Sequence, residues 1–159
     1  MYIHLNIIMK DIGEEIKQEK FNSIYEKAII NLVFTTNWFN LKNTQLLKQY
    51  DISMQQFNVL RILRGQHSKP ATINLITERM LDKMSNASRL VDKLVSKELV
   101  ERKECPKDRR AVDILITAKG LEVLSKLDVL IKGFNNELSQ KLSEEEAEKL
   151  NNLLNKIRQ

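Results

Sequence analysis

The sequence predicts a mainly α-helical protein carrying one small β-hairpin. Three observations lead there. Gly and Pro are scarce, 4 and 2 among 159 residues, while Leu, Lys, Glu, Ile and Asn abound. Apolar residues recur at three- and four-residue steps through most of the chain, the period of a helix with one buried face. Only Val100–Cys105 and Ala111–Thr117 read as strands, joined by a turn at Pro106-Lys107-Asp108-Arg109.

The elements follow in order. From about Ile16 to Tyr50 the spacing predicts a helix. Phe21, Ile24, Tyr25, Ala28, Ile29, Leu32 and Val33 set its stripe, and Trp38, Phe39, Leu41, Leu46 and Leu47 continue it past an expected bend at Thr35-Thr36-Asn37. Asp51-Ile52 breaks the pattern. Ser53 opens a second helix, and Gln56 completes a capping box with it. Phe57, Val59, Leu60 and Leu63 form that helix's buried stripe, Gly65 stops it, and residues 66–70 form a loop. Thr72 caps a short helix bearing Ile73, Ile76 and Met80. A further helix spans about Ser85 to Lys97. In the second strand Val112, Ile114 and Ile116 share one face, with Asp113 on the other. Thr117 caps a long helix carrying Leu124, Leu127, Ile131, Phe134 and Leu138. Ser143 and Glu146 form another capping box ahead of Leu150, Leu154 and Ile157.

No low-complexity linker and no internal repeat divides the chain, so residues 1–159 read as a single domain. Within it a compact middle, about residues 53–117, lies between helical stretches at about 14–50 and 118–159. The sustained apolar seams of those stretches need a partner surface, either each other within one chain or a second copy. Met1–Ile8 is apolar and lacks the basic leader of a signal peptide, whereas Met9-Lys10-Asp11 makes a more natural start. The expectation is that Met1–Ile8 is an upstream extension. Hydrophobic content of 42% and charged content of 30% fit a soluble globular protein. A single cysteine, Cys105, excludes an internal disulfide and suits a reducing cytoplasm. No apolar run approaches the roughly 20 residues of a membrane span.

A net charge of +5 favours a polyanionic partner without identifying one. The helix at 85–97 sharpens this. At roughly 100° per residue, Ala87, Leu90, Val91 and Leu94 fall on one arc, which must face a core. Ser85, Arg89, Lys93 and Ser96 fall on the opposite arc, with Asn86 and Lys97 near it. Small hydroxyls, an amide and cations are the groups that hydrogen-bond base edges and phosphates in a major groove. Ser85, Asn86 and Ser88 occupy the end that enters the groove in helix-turn-helix docking. The same face also fits plain solvation, since Lys, Arg and Ser line most surface helices. The hairpin adds weight: Lys107, Arg109 and Arg110 cluster at its tip, and a narrow minor groove attracts an inserted Arg. Asp108 cannot aid DNA binding by charge; its sensible role is to hold a neighbouring Arg extended.

These residues carry a family resemblance. Ile52-Ser53-x-x-Gln56-Phe57-x-Val59-Leu60, Ser88-Arg89-Leu90-Val91-Asp92-Lys93-Leu94, Leu99-Val100-Glu101-Arg102, Asp108-Arg109-Arg110-Ala111 and Leu115-Ile116-Thr117-x-x-Gly120 resemble the MarR family of winged-helix transcription regulators. The resemblance runs from about Ile24 to the C-terminus. It implies a winged helix-turn-helix flanked by long N- and C-terminal dimerisation helices. It also implies a homodimer on a pseudo-palindromic double-stranded operator, acting as a repressor. The recognition helix would contribute Ser85, Asn86, Ser88, Arg89 and Lys93, and the wing Lys107, Asp108, Arg109 and Arg110, with Arg110 entering the minor groove. Family members commonly bind small aromatic ligands near the junction of the two parts; Trp38, Phe39, Tyr50 and Phe57 are the aromatics there, and each also fits plain core. One position departs from the family: Glu98 stands where Gly usually precedes the Leu-Val-Glu-Arg strand. Gly there suits a left-handed helix cap, so either the turn differs or strain is tolerated.

Other chemistry is not indicated. His4 and His67 are the only histidines, and neither joins a metal-ligand or catalytic spacing. No cofactor, metal site or enzymatic activity is expected. Cys105, near Lys103 and Lys107, is either incidental or a thiol made reactive by those cations. The competing functional class is a winged helix used as a protein-interaction module without DNA binding.

Overall fold

A computed structural model of the chain describes residues 10–67, 69–105 and 108–159, and the side chains of residues 105–111 lie outside that description. It forms two compact units, one ending at Gln45 and the other starting at Leu46.

In the first unit, Asp11 caps a five-residue helix, α1 (Ile12–Ile16), by accepting the Gly13 N–H. The Asp11 carboxylate also meets Lys27 Nζ at 2.8 Å, and that partner holds its pKa below the usual aspartate value. Lys17 then turns left-handed, φ 57°, and ends α1. The long helix α2 (Ile24–Lys48) starts eight residues after Ile16, not at Ile16 as the apolar spacing predicts. The reason is local. Ser23 Oγ accepts the Glu26 N–H at 3.1 Å, and the Glu26 carboxylate reaches back to Asn22. Such side chains satisfy backbone donors that a helix start leaves open. α2 runs unbroken through Thr35-Thr36-Asn37, with Thr36 Oγ1 donating to the Leu32 carbonyl.

The second unit holds the core. α3 (Met54–Arg64) opens on the Ser53/Gln56 capping box and closes at Gly65. α4 (Ile73–Arg79) is capped by Thr72 and α5 (Ala87–Ser96) by Asn86. The hairpin pairs β1 (Val100–Cys105) with β2 (Asp108–Ile116), antiparallel, with an irregularity between Glu104 and Cys105. β2 thus begins three residues earlier than the expected Ala111, and Asp108 and Arg109 belong to the strand, not the turn. Pro106 and Lys107 lie outside the described residues. α6 (Ala118–Ser139) and α7 (Glu144–Ile157) follow, capped by Thr117 and by the Ser143/Glu146 box.

Leu60 and Leu63 of α3, Ile76 of α4, Val91 and Leu94 of α5, Val100 and Ile114 of the hairpin, and Leu124 and Leu127 of α6 are all fully buried in one cluster. Five elements therefore meet on the stripes that sequence spacing picks out, and α5 has no freedom to rotate its polar face inward. Ala71 adds a short bridge to β2 through reciprocal 2.9 Å bonds with Ile114, so the loop before α4 is tied to the sheet.

Candidate nucleic-acid interface

The α5 helix begins later than its apolar pattern suggests. Asn86 is the N-cap, its Oδ1 accepting the Arg89 N–H at 3.0 Å. Ser85 precedes the helix, and its Oγ donates to Asp82 Oδ2 at 2.7 Å. Of the five expected recognition-helix residues, Ser85 and Asn86 therefore have side chains engaged in building the helix entrance. Arg89 and Lys93 stand exposed on its outer face, opposite buried Ala87, Val91 and Leu94, and Ser88 stands exposed at the flank.

Asp82 organises that entrance. Its carboxylate accepts the Ser85 hydroxyl, the Met84 N–H at 3.0 Å and Gln55 Nε2 at 3.4 Å. Those bonds, the Ser85 one foremost, hold its pKa below the usual aspartate value. Asn58 Oδ1 accepts the Leu81 N–H at 2.9 Å. Two α3 side chains thus fix the loop ahead of α5. Sequence reading missed this cradle, although an Asp two residues before Met84 can take its N–H in an Asx-turn.

Asp92, also exposed on α5, meets Arg102 of β1 at 2.7 Å. An exposed pair of this kind adds up to ~1 kcal/mol. Its use is geometric, since it joins the outer face of the helix to the hairpin. Nothing in the sequence marks the pair, because the two residues come together only through the fold.

The turn between α5 and β1 answers the Glu98 question. Glu98 does take the left-handed conformation, φ 61°. The Leu99 N–H bonds the Leu94 carbonyl and the Glu98 N–H bonds the Val95 carbonyl, completing a Schellman cap. Leu94 and Leu99 are both buried, the apolar contact that accompanies such caps. Lys119 Nζ lies 2.7 Å from the Glu98 carboxylate and holds its pKa down, offsetting a negative charge at a helix C-terminus. The turn is closed from the other side by α6. Thr117 donates its hydroxyl to the Glu98 carbonyl at 2.7 Å and its N–H to the Leu99 carbonyl at 3.1 Å. A Cβ at Gly120 would come within 2.3 Å of the Leu99 oxygen, so this approach requires glycine.

The backbones of Asp108, Arg109 and Arg110 lie in β2. The expected Asp108–Arg contact, the Arg110 groove contact and the reactivity of Cys105 fall on side chains outside the described residues, as does Lys107 entirely. Of the four candidate pocket aromatics, Trp38 and Phe39 stack edge-to-face at 5.0 Å in the first unit. In the second, Phe57 is buried in the core and Tyr50 packs against it half-buried. An open cavity of the first unit is lined instead by Asp11, Gly13, Lys17, Gln18, Phe21 and Lys27 among others. Among the described residues, no cluster of His, Cys, Asp and Glu could hold a metal ion. No helix there is long and apolar enough to cross a membrane.

Two helices joined through a pinned loop, followed by a hairpin packed beside the second, define a winged helix-turn-helix protein. Comparison with known proteins gives the family. A MarR family model matches residues 52–112. The chain is 30% identical over 111 residues to the HTH-type transcriptional regulator MhqR of Bacillus subtilis (strain 168), spanning 70% of this chain and 75% of that protein. It is 24% identical over 142 residues to the HTH-type transcriptional repressor IacR of Pseudomonas putida, spanning 89% and 80%. Among solved structures it resembles S. aureus MepR in its DNA-binding conformation, with 25% identity and a TM-score of 0.66 over 79% of this chain and 92% of that one. The chain belongs to the MarR family and is a transcription regulator, not an enzyme.

Proposed function

We propose that this regulator is a homodimeric repressor that reads a pseudo-palindromic operator in double-stranded DNA and is released by a small aromatic ligand. One observation carries the reading: the exposed Ser88, Arg89 and Lys93 of α5 lie on a helix tied to the hairpin by Asp92–Arg102. A rigid helix and ribbon side by side fit adjacent major and minor grooves. In this account Ser88 and Arg89 reach base edges, Lys93 a phosphate, and Lys107, Arg109 and Arg110 the neighbouring groove, with Asp108 orienting an Arg. Ser85 and Asn86 serve by shaping the helix entrance.

Dimerisation is supported by exposed apolar faces. Ile24 and Tyr25 of α2 are 77% and 78% exposed, and Val129 of α6 and Ile157 of α7 are 71% and 69% exposed. Faces of that kind mark association surfaces. We assign residues 53–117 to the DNA-binding lobe and the helices at 14–50 and 118–159 to the dimerisation lobe. The candidate ligand contacts are Trp38 and Phe39 in the first unit and Tyr50 and Phe57 in the second. The protein acts in the cytoplasm, where a lone cysteine stays reduced. A gel shift on the DNA upstream of its own gene, with and without competitor, tests the reading. A shift that survives random competitor supports it. No shift, or one abolished by random DNA, turns the reading toward a protein-interaction module.

A further inference from the structure

The two most exposed large apolar side chains among the described residues are Met84, 94% exposed, and Leu81, 82% exposed. The other exposed apolar residues lie mostly along α2, α6 and α7, where a second copy accounts for them. Leu81 and Met84 do not. They sit in the loop between α4 and α5, and Met84 comes two residues before the Asn86 cap. Two residues of chain reach at most about 7 Å, so Met84 stands beside the end of the helix that meets the base edges.

The loop does not hold them out for want of order. Asn58 takes the Leu81 N–H, and Asp82 takes the Met84 N–H and the Ser85 hydroxyl. A backbone so fixed keeps both side chains in water in the free protein. Arg79, Lys83 and Arg89 surround them in the sequence, Lys83 Nζ donating to the Glu78 carbonyl, while Asp82, the acid between Leu81 and Lys83, is occupied by the Ser85 hydroxyl, the Met84 N–H and Gln55. An apolar protein partner is poorly matched to a rim of that charge, whereas the major groove of DNA offers both features. Its phosphates meet the cations, and it carries one strongly apolar group, the C5-methyl of thymine.

We propose that Met84, with Leu81 beside it, reads thymine by packing on its C5-methyl at the edge of each half-site. The inference rests on the DNA-binding reading above and adds a base preference to it. Met suits the task because its unbranched thioether adapts to a methyl without exact shape.

Replacing thymine by deoxyuridine removes only that methyl, so single replacements across a bound duplex from the upstream region supply the test. For the wild-type protein at least one replacement in each half-site should weaken binding about four-fold, the equivalent of one buried methyl group. For Met84→Ala the same replacement should change affinity by less than about 1.5-fold. Leu81→Ala, measured in parallel, separates the two side chains. Both are surface substitutions that leave the loop's backbone bonds in place. The proposal is overturned if no replacement affects the wild type, or if every replacement affects wild type, M84A and L81A equally. A wild-type protein that binds the upstream duplex no tighter than random DNA is a different failure: it removes the DNA reading itself, and this inference with it.

Discussion

Gly120→Ala is the substitution for which the structure gives the clearest magnitude. The new Cβ would lie 2.3 Å from the Leu99 carbonyl oxygen and 2.8 Å from Ile116 Cγ1, where ordinary contact begins at 3.4 Å. The start of α6 must therefore retreat by about 1 Å. That retreat stretches the 3.1 Å Thr117 N–H bond to Leu99 and the 2.7 Å hydroxyl bond to Glu98. Overpacking of this kind costs ~1–3 kcal/mol, and each weakened hydrogen bond ~0.5–1.5 kcal/mol. Against this stands a gain of ~1 kcal/mol for Ala over Gly in a helix. The net expectation is a loss of about 1–5 kcal/mol, centred near ~3 kcal/mol. Gly133, in the same helix, has nothing within 4 Å of its Cβ position. Gly133→Ala should therefore show the propensity gain alone, about 0.5–1 kcal/mol. Urea unfolding followed by circular dichroism, at one protein concentration because a dimer's stability depends on it, measures both. G120A at or above wild-type stability would refute the close approach of α6 to the Leu99 turn.

Other expectations concern DNA and pH. Arg89→Ala should relax preference at one base position, while Lys93→Ala should weaken binding to all sequences alike, as competition binding against a panel of duplexes would reveal. Arg110→Ala should weaken operator binding by roughly 1–3 kcal/mol; unchanged affinity in the same titration ends its assignment to the groove. Arg64 and Asp128 form a two-bond ion pair, at 2.5 and 3.0 Å, between α3 and α6. Arg64 holds the Asp128 pKa below its ordinary 3.8. A carboxylate with a lowered folded pKa stabilises the fold above its unfolded pKa, and that contribution fades as pH falls below it. Both side chains are more than a third exposed, so the contribution stays within ~1 kcal/mol. Thermal unfolding of wild type and Asp128→Asn should differ at pH 7, and the gap should narrow below the ordinary aspartate pKa. A gap that holds constant from pH 7 to pH 3 contradicts this role.

Local chemistry was legible in the sequence where one side chain satisfies a backbone group three residues away. The Ser53/Gln56 and Ser143/Glu146 boxes and the Thr72 and Thr117 caps all form as expected. The buried arc of α5 was equally plain, because its period leaves one solution. The Glu98 position was visible as a departure, and the structure shows that the left-handed turn is kept, with Lys119 beside the misfit carboxylate. What stayed hidden depends on distant partners. The Ala71 bridge to Ile114 forms only once the loop before α4 lies beside β2. Asp92 finds Arg102 only once α5 and β1 lie together. Apolar spacing through Phe21 places the start of α2 too early, because the Ser23/Glu26 cap sets it instead. At the entrance to α5, Ser85 and Asn86 carried residue types suited to base contacts, and their side chains are spent on Asp82 and on the Arg89 N–H instead.

The central claim is that α5 and the hairpin form one cationic surface for a specific duplex. Its most direct test is the affinity for the upstream operator and for a scrambled duplex across a series of salt concentrations. The account predicts that log K falls linearly with log salt concentration on both, as counterion release requires. It also predicts that the operator stays tighter by about 10³-fold or more at each concentration. Equal affinity for operator and scrambled duplex, or binding insensitive to salt, would contradict it.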